Sequence, residues 1–302
     1  MPVGALQSTT AAPDAPLGEA ASRLTWERAG WVGLIALAPA TLIYLSFEAG
    51  GYFPSAPGYV AIVLAGALVL RTTLAERPFE GLSRPLAIPL GALVLYAAWT
   101  LASTGWSQAT AHSLDAYSRV LLYVLAFLLY GSVRYTRTRA AWLIKAVAGG
   151  LALVCAAGLV SRVLPNTWPT ATSFYADRLN YPLTYWNAEG MVAAIVLILG
   201  FHLSADRAEH PVVRVIAAAA LPAVGATLLL TFSRGALGVA AIGLISYCVL
   251  TRFSTLPTAL IAAVPTMAIA MRSAWDATEL ASKHPTDALA VSQGHHVAVV
   301  VA

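Results

Sequence analysis

Two short stretches of this chain carry residue types able to hold a phosphate. The first is Thr231-Phe232-Ser233-Arg234-Gly235-Ala236-Leu237-Gly238. Its arginine offers a planar fork that binds two oxygens at once and stays charged at any pH a protein meets. The second is Asp177-Arg178-Leu179-Asn180-Tyr181-Pro182-Leu183-Thr184-Tyr185-Trp186-Asn187-Ala188, the most polar and aromatic part of residues 161–188. A third, looser set is Gly105-Trp106-Ser107 followed by His112, Asp115 and Arg119. Arg178, Arg234 and Arg119 are the candidate anion ligands, with Tyr185, Asn187 and Ser233 as secondary candidates.

Plainer roles stand beside each of these. Arg234 has the plainer reading of an arginine that snorkels to lipid headgroups. Tyr181, Tyr185 and Trp186 read as an interfacial aromatic belt. Asn187 reads as the cap of the helix that follows, with Glu189 favoured at its positive end. Asp115 and Arg119 stand at i, i+4 and read as a surface ion pair. The remaining titratable residues carry less. His295 and His296 are adjacent, so a helix points them to different sides, a weak basis for a metal site. Cys155 and Cys248 lie in apolar runs and read as small core residues. There is no Gly-rich phosphate loop, zinc signature or nucleophile elbow, so neither a metal nor a cofactor is expected.

These residues need a scaffold, and the composition says which kind. Of 302 residues, 59% are hydrophobic and only 11% charged. An ordinary soluble domain has about 25% charged residues, so this chain lacks the polar surface to cover a soluble globule and fits lipid as its solvent. The net charge of +4 is spread along the chain without a basic stripe, which excludes a nucleic-acid surface. The sequence predicts an all-α polytopic transmembrane protein. Residues 1–29, rich in Ala, Pro and Thr, read as a disordered cytoplasmic tail, and residues 30–302 as the membrane domain.

Apolar runs of spanning length fall near 30–47, 57–74, 85–103, 117–133, 142–160, 183–203, 214–232, 235–251 and 254–271, which makes about nine spans. A tenth begins at Val297 and stops at Ala302, so the chain is expected to end inside a helix. With a cytoplasmic N-terminus, 12 Lys and Arg residues fall on the inner side and 6 on the outer, as the positive-inside rule requires. The segments 71–84, 134–141 and 204–213 are then cytoplasmic, and 104–116, 161–181 and 272–296 lie outside. Ser233-Arg234 sits amid an apolar stretch with no room for a loop. Two spans must therefore meet there in a tight turn, and Gly235 is the residue expected to permit the reversal.

The run Arg178-Leu179-Asn180-Tyr181-Pro182-Leu183-Thr184-Tyr185-Trp186-Asn187-Ala188-Glu189-Gly190 resembles the loop-to-helix motif of O-antigen ligase-like membrane proteins, the superfamily of O-antigen ligases and polymerases. Leu230-Thr231-Phe232-Ser233-Arg234-Gly235-Ala236 resembles a second motif of that family, in the family's order and spacing. Trp106-Ser107 leading to Arg119 and Tyr123 fits its early outer loop. Glu189 stands where the family pattern has an apolar residue. The resemblance implies a multi-pass glycosyltransferase of the cytoplasmic membrane. Such an enzyme moves a glycan from a polyprenyl-diphosphate donor to a glycan or lipid acceptor on the outer face. It further implies that Arg178, Arg234 and Arg119 hold the diphosphate without a metal. An acceptor-activating histidine is expected on a later outer loop, beyond Ala302, so the chain reads as the N-terminal membrane portion of such an enzyme. A carrier of the same superfamily and a non-catalytic membrane fragment are the alternatives.

Overall fold

The computed structural model describes residues 17–168, 177–251, 255–281 and 287–302. Every described regular element is a helix: α1 Leu17–Phe47, α2 Ser55–Leu74, α3 Arg84–Ser103, α4 Thr110–Gly131, α5 Arg137–Val163, α6 Trp186–Ala205, α7 Pro211–Leu230, α8 Arg234–Leu250, α9 Leu256–Asp276 and α10 Ala288–Val301, with 3-10 turns at Ala49–Gly51 and Thr278–Ala281. Eight of these are long and apolar enough to cross a membrane. Helices satisfy their own backbone groups, which hydrocarbon cannot do. Large apolar side chains face outward along them: Ile88 is 76% exposed, Leu95 73%, Val249 75% and Leu250 82%. On a soluble protein these would form an aggregating surface; here they are the lipid face. The chain is a multi-pass helical membrane protein.

Several boundaries differ from the sequence expectation. Helix α1 runs back to Leu17, ahead of its apolar part at Ala29–Phe47. Helix α4 starts at Thr110, so His112 and Asp115 are helical and do not lie in a loop. Helix α6 starts at Trp186 and not at 183, because Thr184 adopts a left-handed φ of 63° and Tyr185 is extended. The run at 235–251 forms α8, whose 17 residues put it below the eight longer helices. The final apolar residues belong to α10, which begins nine residues before Val297 and carries His295 and His296. Arg252, Lys283 and His284 lie outside the described residues.

Small residues let the helices approach. A Cβ on Gly150 of α5 would lie 2.6 Å from Pro39 Cβ of α1. Ala193 and Ala194 of α6, Ala226 of α7 and Ala270 of α9 are 0% exposed. This is how helices associate where lipid tails are as apolar as leucine. One core cluster joins α5, α6, α7 and α8 around Leu151, Cys155, Leu197 and Leu228. A second joins α5, α7, α9 and α10 around Leu159, Leu230 and Val297. Val60, Leu64, Leu122 and Leu129 tie α2 to α4.

The contacts sort the helix ends into two sets. At one end Arg71 donates to the Ser132 hydroxyl and carbonyl, Arg134 pairs with Glu80, Lys145 pairs with Glu209, and the Thr255 hydroxyl donates to the Ala205 carbonyl. At the other end Phe47 packs on Tyr181, Arg119 donates to the Tyr52 carbonyl, Leu179 bonds Leu230, and Arg162 donates to the Leu280 carbonyl at 3.0 Å. Ser107 lies between α3 and α4 at this second end, and Ala208 between α6 and α7 at the first. Single cysteines at Ser107 and Ala208, in a background lacking Cys155 and Cys248, are expected to react differently with an impermeant thiol reagent in intact cells. One should label and the other only after lysis; equal labelling of both would contradict the arrangement.

Candidate functional site

The second end brings together the two motifs that the sequence kept 46 residues apart. Leu179, next to Arg178, donates its backbone N–H to the Leu230 carbonyl at 2.9 Å. Leu230 ends α7, where the last carbonyls lack helical partners, so the irregular segment satisfies a donor on an acceptor that was free. The Ser233 hydroxyl donates to Asn187 Oδ1 at 2.7 Å, and Asn187 Nδ2 donates to the Tyr185 hydroxyl at 2.7 Å. Ser233 also caps α8 by accepting from the Ala236 N–H at 3.2 Å. One side chain thereby closes the α7–α8 turn and latches it to the start of α6.

Two local expectations are corrected here. The reversal before α8 is made by Phe232, at φ 49°, while Gly235 is already helical. The Thr231 oxygen accepts from the Ser233 N–H and Phe232 bonds back to the Leu229 carbonyl, which holds a non-glycine residue in this conformation. Phe232 also packs its ring on Trp275 of α9, at 6.4 Å. Asn187 does not cap α6: Tyr185 holds that position without a side-chain bond, and the Asn187 amide is committed to Ser233 and Tyr185.

The three arginines have different surroundings. Arg178 stacks over the Trp186 ring at 4.9 Å and lies 3.7 Å from Asp177, with its side chain 37% exposed. A guanidinium over an indole face is held by cation–π attraction and keeps donors available for an anion. Arg234 opens α8, is exposed, and has no hydrogen bond or ion pair among the described residues. Arg119 turns away from Asp115: it donates to the Tyr52 carbonyl at 2.6 Å and lies 5.8 Å from the Tyr52 ring. Tyr52 follows the 3-10 turn, and Gly50 in that turn packs on Leu183. Arg119 thus borders the same end of the bundle but is bound to a different segment. Tyr185 is half exposed with its ring 4.9 Å from Trp186, as an interfacial aromatic pair would be.

The burial of two charged residues at this end was not visible in the sequence. Arg162, one of the six Lys and Arg residues that the charge count puts on the outer side, is 7% exposed and secures the 3-10 turn Thr278–Ala281 through Leu280. Glu189 is 0% exposed in the first turn of α6, and neither carboxyl oxygen has a hydrogen-bond partner among the described residues. It is walled in by close backbone packing. A Cβ on Gly158 of α5 would meet the Tyr181 carbonyl at 2.6 Å and Glu189 Oε1 at 3.0 Å. A Cβ on Gly190 would meet Ala236 Cβ at 2.7 Å and Thr231 Oγ1 at 3.0 Å. The signal in the sequence was a carboxylate in an apolar run, which is rare enough in a membrane helix to mark a site. Among the described residues no three His, Cys, Asp or Glu side chains converge as a metal-ligand set.

No protein-family model, curated protein or solved structure matches this chain.

The packing at Gly158 has a direct consequence. Gly158→Ala is expected to destabilise the detergent-solubilised protein by about 1–3 kcal/mol, because the methyl meets backbone that cannot swing aside. Thermal unfolding checks this, and an unchanged midpoint would show that the Tyr181 segment is not seated there.

Proposed function

We propose that this protein is a membrane glycosyltransferase of the O-antigen ligase and polymerase type. In this reading the N-terminus is cytoplasmic, α8 counts as a ninth span, and the end bearing Arg178 and Arg234 faces outward from the cytoplasmic membrane. At 17 residues α8 is about 25 Å long, near the lower limit for crossing. The donor is a glycan on a polyprenyl diphosphate and the acceptor a glycan or lipid at that face.

The observation that carries the reading is the latch between the two motifs. Leu179 on Leu230 and Asn187 on Ser233 hold the segments of Arg178 and Arg234 against each other, and Arg234 has no hydrogen bond or ion pair among the described residues. A lipid diphosphate presents its charge at the depth of this helix end. Fixed cations placed where the leaving group gains charge lower the barrier to transfer. Arg178, held over the Trp186 ring, supplies one fork and Arg234 the other; Arg119 borders the site through Tyr52. A carrier reading draws on the buried carboxyl of Glu189. That group lies in the first turn of α6, close to the interface and far from mid-span, which favours interfacial chemistry.

Arg234→Lys is expected to lose most glycan transfer although the charge is kept, and Arg234→Gln at least as much, both with normal insertion. The loss should reach tenfold or more, the effect of one charge-assisted hydrogen bond of roughly 1.5–3 kcal/mol. Transfer is read by glycan profiling of cells carrying each variant against a deletion strain. If Arg234→Lys behaves like the unaltered protein, Arg234 is a headgroup anchor and the diphosphate reading fails.

A further inference from the structure

Glu189 is a buried carboxyl that neither the arginines nor the latch uses. Among the described residues no other Asp or Glu is buried, and no donor reaches either of its oxygens. A carboxylate in such a place is an unpaired charge inside an apolar bundle, an unfavourable arrangement. The neighbourhood supplies a better one. A carbon at the Cβ position of Gly158 would lie 2.6 Å from the Tyr181 carbonyl oxygen and 3.0 Å from Glu189 Oε1. The two oxygens therefore converge on one spot beside α5. Tyr181 lies outside any helix, and its carbonyl accepts no hydrogen bond among the described residues.

Two acceptors brought together with no donor between them repel. A carboxyl that carries its hydrogen has one O–H to give, and giving it to the Tyr181 carbonyl satisfies both groups. Cys155, one turn before Gly158 on α5, is also buried but makes no hydrogen bond to the carboxyl. A metal ion is a poor alternative, since it takes about six oxygen ligands and this spot does not admit even a methyl group. The bond would act on the segment that carries Arg178. Leu179 of that segment is fixed to Leu230, and the Tyr181 ring packs on Phe47 of α1 at 5.9 Å. Trp186, the ring beneath Arg178, precedes Glu189 by one turn of α6. The first turn of α6 thus holds the segment at two points, an indole face and a carboxyl.

We propose that Glu189 is a positioning residue: its carboxyl keeps its hydrogen and donates it to the Tyr181 carbonyl, fixing the Arg178 segment on α6. Its part in glycan transfer rests on the glycosyltransferase reading, whereas the hydrogen bond does not. The full chain, purified in an ester-free detergent, is examined by infrared spectroscopy at neutral pH. A carboxylic-acid C=O band is expected in the unaltered protein and absent from Glu189→Gln. Tryptic cleavage after Arg178 in the folded protein, followed by mass spectrometry, reports how firmly the segment is seated.

Two variants separate the hydrogen bond from packing. Glu189→Gln keeps a donor at the same reach and should be cleaved as slowly as the unaltered protein. Glu189→Leu keeps the volume without a donor and should be cleaved about two- to tenfold faster, the effect of one net hydrogen bond on the opening equilibrium. Affinity for a short-chain polyprenyl diphosphate should fall by a similar factor in Glu189→Leu and hold in Glu189→Gln. The proposal is overturned if the unaltered protein lacks the acid band, as it would with an ionised carboxylate holding a cation. It is overturned equally if Glu189→Gln is cleaved as fast as Glu189→Leu, or if Glu189→Leu is cleaved no faster than the unaltered protein. The expected band and cleavage order, with no diphosphate bound by the unaltered protein, would support the hydrogen bond and count against the glycosyltransferase reading instead.

Discussion

The backbone hydrogen bond from Leu179 to Leu230 sets what the arginine-bearing end of the bundle can be. Between α5 and α6 the chain leaves helical geometry at the edge of hydrocarbon, where no water is guaranteed to satisfy a free N–H. The end of α7 offers a free carbonyl, and the chain takes it. Once Leu179 is fixed there, Arg178 is placed over Trp186, and Asn187 meets Ser233 across the start of α6. The turn before α8 is shaped by the same contacts, since Ser233 caps α8 and binds Asn187 together. Without this latch the two arginines would belong to unrelated segments.

Beneath the latch the packing is tight and in one respect unfavourable. Gly158 and Gly190 let α5, α6 and α8 close around Glu189, whose carboxyl has no partner among the described residues. A buried unpaired carboxyl is destabilising, and a leucine of similar size would pack without that cost. Natural sequences break such local rules mainly at functional sites. On the proposed reading, Glu189 lies one turn below the surface that receives the diphosphate, where it can act on the site without touching solvent.

The architecture was legible because lipid imposes one simple demand, a long apolar helix, and the sequence meets it run after run. Boundaries were less legible, since hydropathy does not report helix geometry. Thr110–Ala116 are polar enough to read as loop yet are helical, and Leu183–Tyr185 are apolar enough to read as helix yet are not. The reversal at Phe232 was assigned to Gly235 because glycine is the residue that tolerates left-handed backbone most easily. The structure uses a phenylalanine there, held by the Thr231 side chain and by Trp275, contacts that appear only after folding. The candidate arginines were visible as charges without a topological duty. The pairing of Asn187 with Ser233 and the burial of Arg162 depend on contacts 46 and 118 residues apart, which no local pattern records.

The central claim is that Arg178 and Arg234 act on one diphosphate. The most direct measurement is the affinity of the purified full chain in nanodiscs for a short-chain polyprenyl diphosphate and the matching monophosphate, in the unaltered protein, Arg178→Gln and Arg234→Gln. The account predicts that the unaltered protein prefers the diphosphate and that each variant loses both that preference and about tenfold or more in affinity. Either variant binding the diphosphate as the unaltered protein does would contradict it.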